Sequence, residues 1–96
     1  MAFEKSKALY ELKKIQSALS KEIVTVEAGN GAVQIKISGD QKIQAVELDP
    51  EKIKDAEIEQ IQKWLQSAIN QAITKSQQLA MERMKSMPGG LGIPGL

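Results

Sequence analysis

Lys7, Lys14 and Lys21 stand seven residues apart. On a helix turning about 100° per residue, seven residues nearly close two turns, so the three ammonium groups share a strip roughly 40° wide. A row of cations at that pitch suits a polyanion, because neutralising phosphates releases their counterions. Glu4, Glu11 and Glu22 form a neighbouring row that weakens the field, and Glu11 can pair with Lys7 one turn back. The pattern therefore also fits an ordinary solvated helix face laced with ion pairs. Lys63, Lys75, Arg83 and Lys85 are the cations of the C-terminal part of the chain. Lys63 shares with Gln66, Ser67, Asn70, Thr74 and Gln77 a helix face almost without acids. Such a face can donate hydrogen bonds to phosphates, or can simply be wet. Lys75, Arg83 and Lys85 point in different directions, and Arg83 falls in line with an apolar stripe, which would expose its guanidinium at a helix tip.

Other chemistry is poorly served. Histidine and cysteine are both absent. This removes the commonest acid–base group and metal ligand, as well as disulfides and thiol nucleophiles. Gly29-Asn30-Gly31 lacks the Lys-Ser/Thr partner of a phosphate-binding loop and leads into a strand rather than a helix. Asp49, Glu51 and Asp55 are spaced as helix caps rather than as a cation loop. One Phe, one Tyr and one Trp are a thin stock for stacking single-stranded bases. Trp64, at the edge of an apolar stripe, suits an interface better than a ligand stack. The expectation is a protein that is not an enzyme, with no cofactor, no metal, no small-molecule substrate and no membrane span, placed in the cytoplasm. Charge is close to balanced at +1. It is nonetheless segregated: residues 1–22 carry +2, residues 23–55 carry −2 and residues 56–96 carry +1.

These side chains need elements to hold them. In residues 23–50, Val24 and Val26, then Val33, Ile35 and Ile37, then Val46 and Leu48 alternate with polar residues, as half-buried strands do. Gly29-Asn30-Gly31 and Ser38-Gly39-Asp40-Gln41 separate the runs, with glycine expected to supply positive φ. Ile43 and Ala45 fall on the opposite parity from Val46 and Leu48, which implies a bulge or a second contact surface. Before this stretch, residues 3–22 form a helix whose seam is Ala8, Leu12, Ile15 and Leu19. After it, Asp49-Pro50-Glu51 starts one short helical turn. Asp55 is expected to cap a last helix running to about Ser86, with Ile58, Ile61, Leu65, Ala68, Ala72 and Leu79 along its stripe. The fold class is α+β: long helix, three-stranded antiparallel meander, short helical turn, long helix. Residues 1–87 make one domain and residues 88–96 a flexible Gly/Pro-rich tail. A last helix of about thirty residues spans roughly 45 Å, against roughly 23 Å for a seven-residue strand. Its apolar overhang implies a partner, most simply a second copy, meeting at Leu65, Ala72, Ile73, Leu79 and Met84. The expected assembly is a homodimer with protruding helical arms.

The ordered set of these features resembles the YbaB/EbfC nucleoid-associated proteins of bacteria. The resemblance rests on the G-x-G turn before an alternating strand (Gly29, Gly31, Val33, Ile35), on Gly39, on the Leu48-Asp49-Pro50 junction and on Ser67-Ala68-Ile69-Asn70-Gln71-Ala72. Glu82-Arg83-Met84 and the closing GGLGIPGL add to it. The Gly- and Met-rich leader of many members is reduced here to Met1-Ala2. The resemblance implies a homodimer that binds duplex DNA in the nucleoid with little sequence preference, through its helical arms. The rival reading is a protein–protein adaptor, in which the helical seams recruit a different protein and the lysines only keep the surface solvated.

Overall fold

The alternating stretch forms a three-stranded antiparallel meander, flanked by helices, in the computed structural model, which describes residues 2–85 and their side chains from residue 9 onward. The order is α1 (Ala2–Lys21), β1 (Ile23–Ala28), β2 (Val33–Ser38), β3 (Ile43–Leu48), α2 (Pro50–Ile53) and α3 (Ile58–Lys85), with β2 central in the sheet. The class is α+β, as the periodicities require. The expected tail, residues 88–96, lies outside the described residues.

Register follows the apolar pattern. Val24 lies opposite Ile37, Val26 opposite Ile35 and Ala28 opposite Val33. On the other side of β2, Val33 faces Leu48 and Ile35 faces Val46. The register then shifts between Lys36 and Ile37: Lys36 faces Ala45 but Ile37 faces Ile43. One extra residue in β3 thus returns Ile43 to the apolar face, the bulge that the broken parity implied. α3 packs chiefly across β1 and β2. Ala68 and Ala72, spaced four residues apart, turn their small side chains to the sheet and let the helix approach closely. They bury Val26, Val33, Ile35 and Ile37, and Val24, Ala28, Trp64 and Leu65 complete the cluster. One turn on, buried Ser76 donates its hydroxyl to the Ser38 carbonyl at 2.8 Å.

Two glycines are fixed by different causes. Gly29 has φ +65°, and a Cβ there would lie 2.5 Å from the Trp64 ring. Trp64 is therefore engaged by its own chain's turn, not held free for an interface. Gly39 has no positive φ; the left-handed residue of its turn is Gln41, at φ 65°. Glycine is needed at 39 for space, since a Cβ would meet Leu19 Cδ2 at 2.7 Å and the Leu19 carbonyl oxygen at 3.1 Å. The Gly39 N–H donates to the Leu19 and Glu22 carbonyls, both at 2.9 Å, and ties the end of α1 to the β2–β3 turn.

The short helix starts as its sequence specifies. Asp49 accepts from the Glu51 N–H at 2.9 Å, and Pro50 occupies the first turn. The expectation that Asp55 caps the last helix is corrected. The Ala56 N–H donates to the Ile53 carbonyl and prolongs the α2 turn, and the first bonds of α3 run from Gln60 and Ile61 to the Glu57 carbonyl. α3 therefore begins at Ile58.

Candidate nucleic-acid interface

Lys14 and Lys21 are exposed on α1, away from the seam of Leu12, Ile15 and Leu19. The Lys7 side chain lies outside the described ones. Lys14 holds its ammonium over the Tyr10 ring, 5.1 Å from the centroid. Ion pairs among the described residues include Lys36–Glu47, Lys54–Glu51 and Arg83–Glu22, and Lys14 and Lys21 meet no carboxylate among those residues. Glu22, one of the acids expected to weaken the row, is instead held by Arg83, whose Nε donates at 3.1 Å and whose second nitrogen closes a fork on the same carboxylate.

That fork changes the part assigned to Arg83. The expectation is a guanidinium exposed at a helix tip, and the side chain is indeed 50% exposed while it holds Glu22. It joins the C-terminal part of α3 to the junction between α1 and β1. The hydrogen bonds that Arg83 donates to Glu22, followed by that carboxylate's charge, raise the Arg83 pKa above an already high ordinary value. The cation therefore persists at every practical pH.

On α3, Lys63, Lys75 and Lys85 are exposed. Their helical angles differ: Lys63 points away from the sheet, and Lys75 leans toward the β1 flank. Between Glu59 and Glu82 the helix has no acidic residue. Asn70 and Thr74 are exposed there, and they share a shallow depression of about 390 Å³ with Gln71, Lys75 and Gln78. Gln71 is partly committed to the fold, since its amide donates to the Glu27 carbonyl on β1 at 3.3 Å and to the Ser67 hydroxyl at 3.1 Å. The structure thus gathers two lysines on α1 and an acid-free face on α3, and ties the half-exposed Arg83 to Glu22. Asp49, Glu51 and Asp55 are occupied differently: Asp49 caps α2, and Glu51 pairs with Lys54 at 3.1 Å.

The chain matches the model of the YbaB/EbfC DNA-binding family over residues 4–91. It belongs to that family. A nucleoid-associated protein of Chloroflexus aurantiacus is 40% identical over 81 residues, which cover 84% of this chain and 81% of the relative. One from Alkaliphilus metalliredigens is 31% identical over 86 residues, covering 90% and 75%. The crystal structure of the uncharacterized protein HP0035 from Helicobacter pylori superposes with a TM-score of 0.75 at 18% identity, covering 84% of this chain and 85% of that one. That likeness is one of fold: helix, three-stranded antiparallel sheet, short helix, long helix. Among the described residues no helix is long and apolar enough to cross a membrane.

The five residues expected at a dimer interface fare unequally. Ala72 is fully buried against its own sheet and has no surface to offer. Leu65 packs on the core, and Leu79 approaches Gly39. Met84 lines a groove of about 530 Å³ with Ala80 and the α1 residues Leu12, Ile15 and Leu19. Part of the overhang expected to need a partner is thus met by α1 of the same chain. Ile73 remains exposed.

Sequence reading missed a larger apolar surface. Because α3 packs chiefly on β1 and β2, the inner face of β3 is left half bare: Ile43 is 49% exposed, Val46 53% and Leu48 42%. Gln71, just before buried Ala72, reaches the β1 edge. Ile69 and Ile73, displaced the other way round the helix, therefore lean over the β3 flank, and both are exposed. Ile58 adds an exposure of 73% at the start of α3. The available signal was that β3, as an edge strand of the meander, lies farthest from a helix packed on β1 and β2.

Proposed function

We propose that this YbaB/EbfC protein is a nucleoid-associated homodimer that binds duplex DNA mainly through its phosphates, with little sequence preference. The observation that carries the reading is the basic character of the outer helix faces, with Glu4 and Glu11 the acids left beside the α1 row. Lys14 and Lys21 have no carboxylate partner among the described residues, Glu22 is neutralised by Arg83, and α3 presents Lys63 and Lys75 in a stretch free of acids. Lys7, by its spacing, extends the α1 row. These groups are long, mobile donors suited to phosphate oxygens, and none forms a rigid fork of the kind that reads base edges. The curated relatives' names agree with a place in the nucleoid. The dimer is supported by the exposed apolar side chains of β3 and of Ile58, Ile69 and Ile73 on α3, which a second copy would cover.

The test is a titration of two unrelated labelled duplexes at low and at physiological salt. Similar affinities for both, falling steeply with salt, are expected. A strong preference for one duplex would overturn the indifference to sequence. The same exposed apolar flank favours a second reading, an adaptor for a different protein. An absence of binding at low salt would favour that reading over DNA.

A further inference from the structure

We infer that Tyr10 is a DNA contact, in which its phenolic hydroxyl donates to a backbone phosphate beside the Lys14 ammonium. This rests on the DNA reading above and adds to it a neutral donor. Tyr10 lies roughly 160° round α1 from Leu12, on the side away from the apolar seam, and roughly 20° from the direction of Lys21 and 40° from that of Lys14. Its side chain is 60% exposed, so the core does not account for the ring's placement. Ser17 and Lys13, both exposed, share this side of the helix.

The cation over the ring supplies the second half of the argument. Lys14 Nζ sits 5.1 Å from the Tyr10 centroid. A free lysine on a flexible stem must be ordered before it can hold a phosphate, whereas this one rests on the ring face with the hydroxyl at the rim. A single stretch of DNA backbone can meet the ammonium and the hydroxyl together. Stacked duplex bases leave no free face for the ring, and tyrosine hydroxyls are ordinary phosphate donors. The contact is therefore to the backbone and carries no sequence information.

The experiment compares the full chain with Tyr10→Phe, Tyr10→Ala and Lys14→Ala, by fluorescence anisotropy of a labelled duplex across a salt series. Circular dichroism and sedimentation are run on each variant. Tyr10→Phe keeps the ring and the cation above it and deletes only the hydroxyl. Loss of one hydrogen bond should weaken binding about two- to tenfold per engaged protomer. Because a neutral donor releases no counterion, the slope of log affinity against log salt should stay unchanged, while Lys14→Ala should flatten it by about 0.9 per engaged protomer. Tyr10→Ala, which also frees the ammonium, should weaken binding more than Tyr10→Phe does. If the parent binds and Lys14→Ala flattens the slope, yet Tyr10→Phe binds like the parent, this inference is wrong and the DNA reading survives. A Tyr10→Ala variant that changes mass in sedimentation would place the ring in a protein contact and overturn it as well. Failure of the parent itself to bind at low salt would defeat the proposed function and this inference together.

Discussion

At the scale of single residues, the sequence marks positions more clearly than it gives their reasons. Gly39 reads as a turn glycine, yet the left-handed residue is Gln41, and Gly39 is held by the closeness of Leu19. No local pattern reveals that approach, because the neighbour arrives from a helix twenty residues earlier. The two causes predict opposite outcomes. Gln41→Gly removes a non-glycine left-handed conformation worth about 1–2 kcal/mol, offset by roughly 0.5–1 kcal/mol of added unfolded-state freedom, so the midpoint of urea unfolding should hold or rise slightly. Gly39→Ala should lower it, since the backbone oxygen of Leu19 at 3.1 Å cannot swing aside as a side-chain end can. The lysine row yields a prediction of the same grain. Replacing Lys7, Lys14 and Lys21 together with Ala should weaken binding about equally on unrelated duplexes and flatten the salt slope, by up to about 2.7 for each protomer engaged. Alanine is the best helix former, so circular dichroism should register no loss of α1. A variant that stays folded and binds with the parent's slope would move the DNA surface to the Lys63 and Asn70 face.

At the scale of elements, most of the architecture was legible. Alternation gave the strands, and broken parity gave the bulge at Ile43. The Asp49-Pro50 pair gave the start of α2. The start of α3 was misread because Asp55 has the right residue type, while the chain continues its turn through Ala56 before Glu57 offers the first helical carbonyl. What local rules omit is the partner of each face. The stripe of α3 was visible, but not that Ala68, Ala72 and Ser76 form its line of closest approach to the sheet. Nor was it visible that Leu12, Ile15 and Leu19 of α1 share one groove with Ala80 and Met84, far along the chain on α3. The small residues make this line testable. Ala72→Leu, an enlargement in a fully packed site, should cost about 1–3 kcal/mol. The same change at Gln77, which is exposed, should leave the unfolding midpoint within about 0.5 kcal/mol of the parent. Equal effects at both positions would mean that α3 does not pack as described.

At the scale of the molecule, the exposed face of β3 is where the proposed assembly can be tested. Six-residue strands span about 20 Å, while the 28 residues of α3 span about 42 Å. The helix crosses β1 and β2 and leaves Val46 and Leu48 uncovered. Within one protomer these two side chains gain little from the fold, so neutral polar replacements should leave it standing. In a dimer they would be buried, and each glutamine amide left without a partner there would cost about 1–3 kcal/mol. A Val46→Gln, Leu48→Gln variant therefore separates assembly from folding without adding charge. The parent should sediment at twice the chain mass of 10.5 kDa, and the variant, with unchanged circular dichroism, at that mass alone. Assembly and DNA binding are then linked through the lysines. A dimer presents two α1 rows, so full engagement gives a salt slope near −5, and a monomer holding one row falls to about −2.7. The variant should thus bind more weakly with a slope cut roughly in half, although no cation has been removed. A variant that remains dimeric would show that β3 is not the interface. A variant that becomes monomeric yet keeps the parent's slope would show that one protomer carries the whole DNA surface, and the paired arms would have no part in binding.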